Sequence, residues 1–183
     1  STMIIMMNIK ASEMRAEGRP LEEVVAWLEE NKNCFHQCGP MDDLKFLART
    51  GRINNFKAFF GTMVGVNAMG DFAPNGVSQV LVNVKGRSKA LKATVEYAKR
   101  TVVEPEGQIM LIGHTLRAED AEVLAKMVRE ELSPRELIIT RIDMSCGANI
   151  GPGMLGLYYF GRKATDGLEE ETRIMEEIAA DLK

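Results

Sequence analysis

Apolar positions along this chain switch repeatedly between a period near 3.6 and a period of 2, and the switches fall at glycine and proline. The opening run Met3-Ile4-Ile5-Met6-Met7-Asn8-Ile9 is apolar on nearly every side. It continues in helical pattern as far as Gly18, a suitable residue just past a helix end. A helix of that kind is expected to be covered by something. Pro20 opens a second helix over 21–31, with Glu22 and Glu23 in its first turn, Leu21, Val24, Val25 and Leu28 on one face, and Trp27 at the edge.

Strict alternation predicts a strand over 34–38, ended by Gly39-Pro40. Asp42 or Asp43 then caps a short helix through Leu44, Phe46 and Leu47 that stops at Gly51. A helical stretch over 56–64 places Phe56, Phe59, Phe60 and Met63 on one apolar face, suited to core packing or to a pocket wall. A strand near 66–69, the turn Pro74-Asn75-Gly76 and a strand over 77–84 read as a hairpin. Beyond it the pattern predicts a helix through Ala90, Leu91, Val95 and Ala98, strands over 109–112, 137–142 and 155–160, and helices over 118–132 and 168–182. Strands separated by helices, with one hairpin, imply a mixed β-sheet covered by helices, an α/β arrangement.

The glycines of Gly147-Ala148-Asn149-Ile150-Gly151-Pro152-Gly153-Met154-Leu155-Gly156 predict a loop whose amides face a bound anion. Gly151, Gly153 and Gly156 have the spacing of a dinucleotide fingerprint, but that motif must follow a strand and open a helix, and here a strand follows. Pro152 also has no amide to offer a pyrophosphate. A small carboxylate or an amphiphile fits better.

With 183 residues the chain is long enough for one domain with its own core. A formal charge of −3 argues against nucleic acid as a partner. No apolar run reaches the length of a membrane span and no secretory leader pattern is visible, so a cytoplasmic protein without stable membrane insertion is expected. Cys34 and Cys38 on one strand would lie about 13 Å apart, beyond disulfide reach, which predicts free thiols. Cys34, His36 and Cys38 share a face, yet neighbours there are roughly 7 Å apart, too far for tetrahedral zinc. A histidine and small thiols facing a core explain the pattern without a metal or other cofactor. The basic start Lys85-Gly86-Arg87-Ser88-Lys89 runs against the usual acidic preference of a helix N-terminus. Solvated lysines account for it, or Lys85, Arg87 and Lys89 dock a partner.

The run Asp43-Leu44-Lys45-Phe46-Leu47-Ala48-Arg49-Thr50-Gly51-Arg52-Ile53 is followed by Lys85-Gly86-Arg87-Ser88-Lys89-Ala90-Leu91. His114 at a strand end and the Gly-Pro-Gly turn before a last strand complete the set. In their order and spacing these segments resemble the DegV family. The resemblance implies a two-lobed protein that binds a long-chain fatty acid between its lobes and presents the carboxylate to a separate fatty acid kinase catalytic subunit. It also implies that this chain is the second, two-layer lobe, with the first lobe and half of the expected site absent. On that reading 1–33 is a helical remnant, 34–163 the lobe and 164–183 a helical extension. Where relatives carry histidine and threonine before Gly-Pro-Gly, this chain has Asn149 and Ile150, losing a titratable ring and a hydroxyl.

The ligand-binding residues implied are Arg52, the arginine of the family's Gly-Arg-Ile motif, with Asn149, Ile150, Gly151 and Gly153, the apolar Phe56, Phe59 and Phe60, and more distantly His114. A structural salt bridge is the alternative for Arg52, and a loop-orienting role that for His114. No catalytic set is visible, so a binding protein rather than an enzyme is expected. A serine hydrolase using Ser145 with His114 is the competing enzyme reading, and Ser145-Cys146-Gly147 lacks the nucleophile elbow it requires. A third reading is an isolated lobe that acts by association, since an uncovered apolar first helix favours a homo-oligomer or pairing with the missing lobe.

Overall fold

A computed structural model describes residues 2–53 and 65–182. The helix expected over 56–64, and with it Phe56, Phe59 and Phe60, lies outside the described residues. Six strands form one sheet in the order β3-β2-β1-β6-β4-β5. They are β1 (Phe35–Met41), β2 (Val66–Phe72), β3 (Ser78–Lys85), β4 (Ile109–His114), β5 (Glu136–Arg141) and β6 (Leu155–Phe160). The pairs β1–β2, β2–β3, β1–β6 and β4–β6 are antiparallel, and β4–β5 is parallel. A parallel pair needs a crossover, and α5 (Ala118–Leu132) supplies it. The expected mixed α/β sheet is therefore present.

One face of the sheet packs on α4 (Arg87–Thr101), α5 and α7 (Glu169–Asp181). Period-2 alternation decides which residues go there: Leu155, Leu157 and Tyr159 of β6 join Met110 and Ile112 of β4 against α4 and α5. Met69, Leu81 and Cys38 meet Tyr97 of α4 and Leu168, Ile174, Met175 and Ile178 of the C-terminal segment in a second cluster. The last helix is thus part of the core. On the other face, α1 (Thr2–Ala16) sets Met6 against Phe35, Leu111 and Tyr158, with Trp27 of α2 (Leu21–Asn31) at the margin. Part of α1 stays uncovered among the described residues: Ile4 is 56% and Ile5 44% exposed.

Three sequence expectations change. The strand expected over 34–38 begins at Phe35 and runs through Pro40 to Met41, while Cys34 ends a 3-10 turn. Along β1, residues 35–38 pair with β6 and 39–41 with β2, so a residue without an amide falls at the exchange of partners. The apolar face expected of α2 is mostly outside: Val24 is buried, whereas Leu21 and Val25 are exposed, because α2 leans mainly on α1 and meets the sheet through Trp27, whose ring stacks on Phe160. Residues Gly147 to Ile150 are not loop but the end of a short helix, α6 (Met144–Ile150), started by Asp143, whose carboxylate accepts the Cys146 amide at 2.9 Å.

The sequence also left a buried polar group without its partner. His36 is 2% exposed, and its Nδ1 lies 2.7 Å from Asp71 Oδ2 while Nε2 lies 2.8 Å from the Arg162 carbonyl. Two acceptors facing two ring nitrogens require both nitrogens to be protonated, hence an imidazolium–carboxylate pair. Burial alone pushes His36 down, but the Asp71 carboxylate and the two hydrogen bonds outweigh it and raise its pKa. Burial pushes Asp71 up, and the His36 charge and bonds from the Gln37 and Phe72 amides bring it below the ordinary carboxylate value. A histidine on the core side of a strand was the available signal for this partner, since such a ring must be satisfied.

Candidate functional site

Beside α1, on the face opposite α4 and α7, a cavity of about 270 Å³ opens in the sheet. Met41, Met154 and Tyr158 form its floor, and Leu47, Ile142 and Phe72 add apolar wall. Cys146, Asn149 and Ile150 of α6 close one side. Among its described lining residues Arg52 carries the single formal charge. A pocket largely apolar, with one guanidinium and a few neutral polar groups, suits an amphiphile with an anionic head.

Local chemistry fixes the rim. The helix α3 (Lys45–Arg49) ends in a tight turn in which the Arg52 amide bonds the Leu47 carbonyl at 2.8 Å. The next link ties this turn to β3, where the Ser78 amide donates to the Arg52 carbonyl at 3.2 Å. Arg52 is exposed, and its Nη1 donates to the Thr50 carbonyl at 2.5 Å, with no other side-chain partner among the described residues. Asn149 spends one side-chain hydrogen on the Ser145 carbonyl at 2.9 Å, and its own carbonyl lies 3.5 Å from the Thr50 hydroxyl. Arg52 and the adjacent pair Asn149 and Ile150, far from it in sequence, therefore share one cavity.

The glycine turn is otherwise occupied. The Gly151 amide bonds the Gly147 carbonyl at 2.8 Å, the Gly153 amide the Thr115 carbonyl at 3.0 Å, and the Met154 amide the Thr115 hydroxyl at 3.0 Å. These amides are not free to cradle an anion, which corrects the expectation drawn from the sequence. Gly151 and Gly153 serve close packing instead. With φ of +77° and +90° they adopt a conformation that suits glycine, and an added Cβ would run into the Phe46 ring at the first and stand 2.6 Å from Asp42 at the second.

His114 stands apart, in a separate open depression with Arg117 and Arg141. Its Nδ1 accepts the Arg117 amide at 3.2 Å, while the Ser145 hydroxyl donates to Asp143 at 2.5 Å. The two members of the hydrolase pair thus have other partners. Arg87, the centre of the basic cluster, is held internally: Nη1 bonds Asp42 and Asn67, each at 3.0 Å, and Nε bonds Asp120 at 2.9 Å. Arg117 also pairs with Asp42. These carboxylates account for an arginine at the start of α4. Lys85 and Lys89 are exposed beside it.

Comparison with known proteins gives the family to which this fold belongs. The model of the DegV family, a family of uncharacterised proteins, matches residues 1–162, and the chain belongs to that family. A DegV domain-containing protein of Clostridium perfringens is 32% identical over 151 residues, 82% of this chain and 52% of the relative. A fatty-acid-binding DegV family protein from Thermus thermophilus aligns with TM-score 0.79 at 22% identity, covering 88% of this chain and 57% of that one. The Streptococcus pneumoniae fatty acid kinase B3 protein, loaded with linoleic acid, aligns with TM-score 0.72 at 16% identity, covering 84% and 54%. The chain spans about half the length of the relatives it matches. No described helix is long and apolar enough to cross a membrane.

Proposed function

We propose that this chain binds the tail of a long-chain fatty acid in the cavity between the sheet and α6, with the carboxylate turned toward Arg52. The observation that carries the reading is the pairing of a mostly apolar cavity with a single guanidinium at its rim. Membership in the DegV family and the fatty acids named for its structural neighbours support it. Each methylene moved from water contributes ~0.8 kcal/mol, so the tail supplies affinity and the head group sets orientation. Asn149 and Ile150 form wall, and Gly151 and Gly153 hold the turn beneath them. The role is binding, not catalysis.

In this reading the bound carboxylate is presented to a kinase catalytic subunit, and Lys85 and Lys89 are the exposed cations of the docking edge, with Arg87 bracing them. Organic extraction of the purified protein followed by mass spectrometry tests the central claim. A stoichiometric C14 to C18 acid is expected; an extract free of acyl chains after growth with exogenous fatty acid would overturn it.

A second reading is favoured by the outer face of α1 and α2, where Ile4, Ile5, Leu21 and Val25 are exposed. An apolar surface of this kind favours self-association or cover by another lobe.

A further inference from the structure

We propose that the open depression at the start of α5 is a second binding site, for a phosphate-class oxyanion, built from unpaired helix amides, the His114 ring and the Arg141 guanidinium. It lies across the ends of β4 and β5 from the lipid cavity and is lined by His114, Leu116 to Asp120 and Arg141, with a volume of about 540 Å³.

Three donors of different kinds converge there. No side chain caps α5, whose first backbone bond runs from the Ala121 amide to the Arg117 carbonyl at 2.9 Å. The amides of Ala118, Glu119 and Asp120 precede that bond and hold no acceptor among the described residues. They sit at the positive end of a fifteen-residue helix. The second donor is His114, 6% exposed. Because Nδ1 accepts the Arg117 amide, the ring carries its proton on Nε2, and that N–H has no acceptor among the described residues. Burial, and then the charge of Arg141, lower the His114 pKa, which keeps this neutral tautomer in place. The ring lines the depression and can offer that N–H to a ligand there.

Arg141 is the third. It stands opposite His114 in the parallel register of β4 and β5, is exposed, and has no carboxylate partner among the described residues. The acids nearby are differently placed. Asp120 is taken by Arg87 at 2.9 Å and lies 3.8 Å from Arg117. Among the described residues Glu119 remains as the lining carboxylate without a cation. Donors arriving from a helix axis, a ring edge and a planar fork suit a tetrahedral anion with several oxygens better than a flat carboxylate.

The test needs no lipid, so it stands apart from the fatty-acid reading. Inorganic phosphate is titrated into the ¹⁵N-labelled full chain at constant ionic strength, with acetate as the planar control. Saturable shifts of the Ala118, Glu119 and Asp120 amides at millimolar phosphate are expected. Affinity should fall at least tenfold in Arg141→Gln, whose exposed side chain can change without loss of fold, and also in His114→Gln. Glu119→Gln should tighten binding. Absent shifts, equal shifts with acetate, or an Arg141→Gln variant that binds phosphate as the parent does would each overturn the proposal.

Discussion

The Asp71 carboxylate and the His36 ring meet at 2.7 Å with both side chains only 1% exposed. Tyr97 adds its hydroxyl to the same oxygen of Asp71 at 2.9 Å, so one carboxylate ties β1, β2 and α4 together. Tyr159 stacks on the His36 ring with centroids 5.3 Å apart and bonds Thr101 at 2.7 Å. Every member of this buried group has a partner, which is the condition under which such a network holds strands in one register.

Its pH dependence has a definite sign. Asp71 is depressed in the fold, so its contribution is present above the unfolded carboxylate value of about 3.9 and lost as pH falls through the folded one. His36 is raised, so its contribution is complete below the unfolded imidazole value of about 6.5 and lost as pH rises through the folded one. Urea unfolding should therefore show greatest stability between these limits. Asp71→Asn should cost about 3–5 kcal/mol and remove the alkaline decline. A variant as stable as the parent near neutrality would show that the pair does not hold the strands.

Head-group recognition should depend on Arg52. Arg52→Ala is expected to reduce discrimination between a fatty acid and its methyl ester while leaving most lipid uptake, because the apolar wall is unchanged. Competition with a fluorescent acyl probe measures both, and equal losses for acid and ester would remove the residue from that role.

Two glycines with nearly the same backbone separate strain from packing. Gly18 has φ of +81° and nothing within 4 Å of the position a Cβ would take, whereas Gly151 has φ of +77° and the Phe46 ring already in that space. Alanine at either site should cost about 1 kcal/mol for the backbone. Gly151→Ala should cost a further 1–3 kcal/mol or so for overpacking. Thermal melts of the two variants give the difference directly.

Arg87 is expected to behave as a brace. Arg87→Gln should lower stability by on the order of 1–2 kcal/mol by leaving Asp42 and Asp120 to Arg117 alone, while Lys85→Gln at an exposed position should change it little. A kinase assay read beside the melting curves then distinguishes lost docking from lost support.

Self-association through the first two helices is checked by light scattering. The protein should exceed monomer mass at micromolar concentration, and the double change Ile4→Ser and Ile5→Ser, at positions 56% and 44% exposed, should return it to monomer. A sharp monomer in the unmodified protein sinks this expectation.

Most elements were legible from periodicity. The crossover helix α5 and the strands β3, β4 and β6 stand within a residue or two of their predicted limits, and the first hairpin strand runs three residues past its own, because alternation and amphipathic spacing are local consequences of burial on one side. The errors have two causes. Leu21 and Val25 form an apolar stripe that nothing in the described fold covers, and Gly147 to Ile150 are helical because Asp143 supplies a cap that outweighs the glycine. A pattern states what a segment can bury, not whether a neighbour is there to receive it.

The order of strands and helices, the mixed sheet and the family resemblance were determined by the sequence itself, since each rests on spacing along one chain. Tertiary structure alone decided the partners. It placed Asp71 under His36, set Asp42 and Asp120 against Arg87, brought Arg52 to the same cavity as Asn149 and sent His114 to another. Those outcomes depend on which residues meet across strands and helices distant in sequence, and that is fixed only when the sheet closes on its helices.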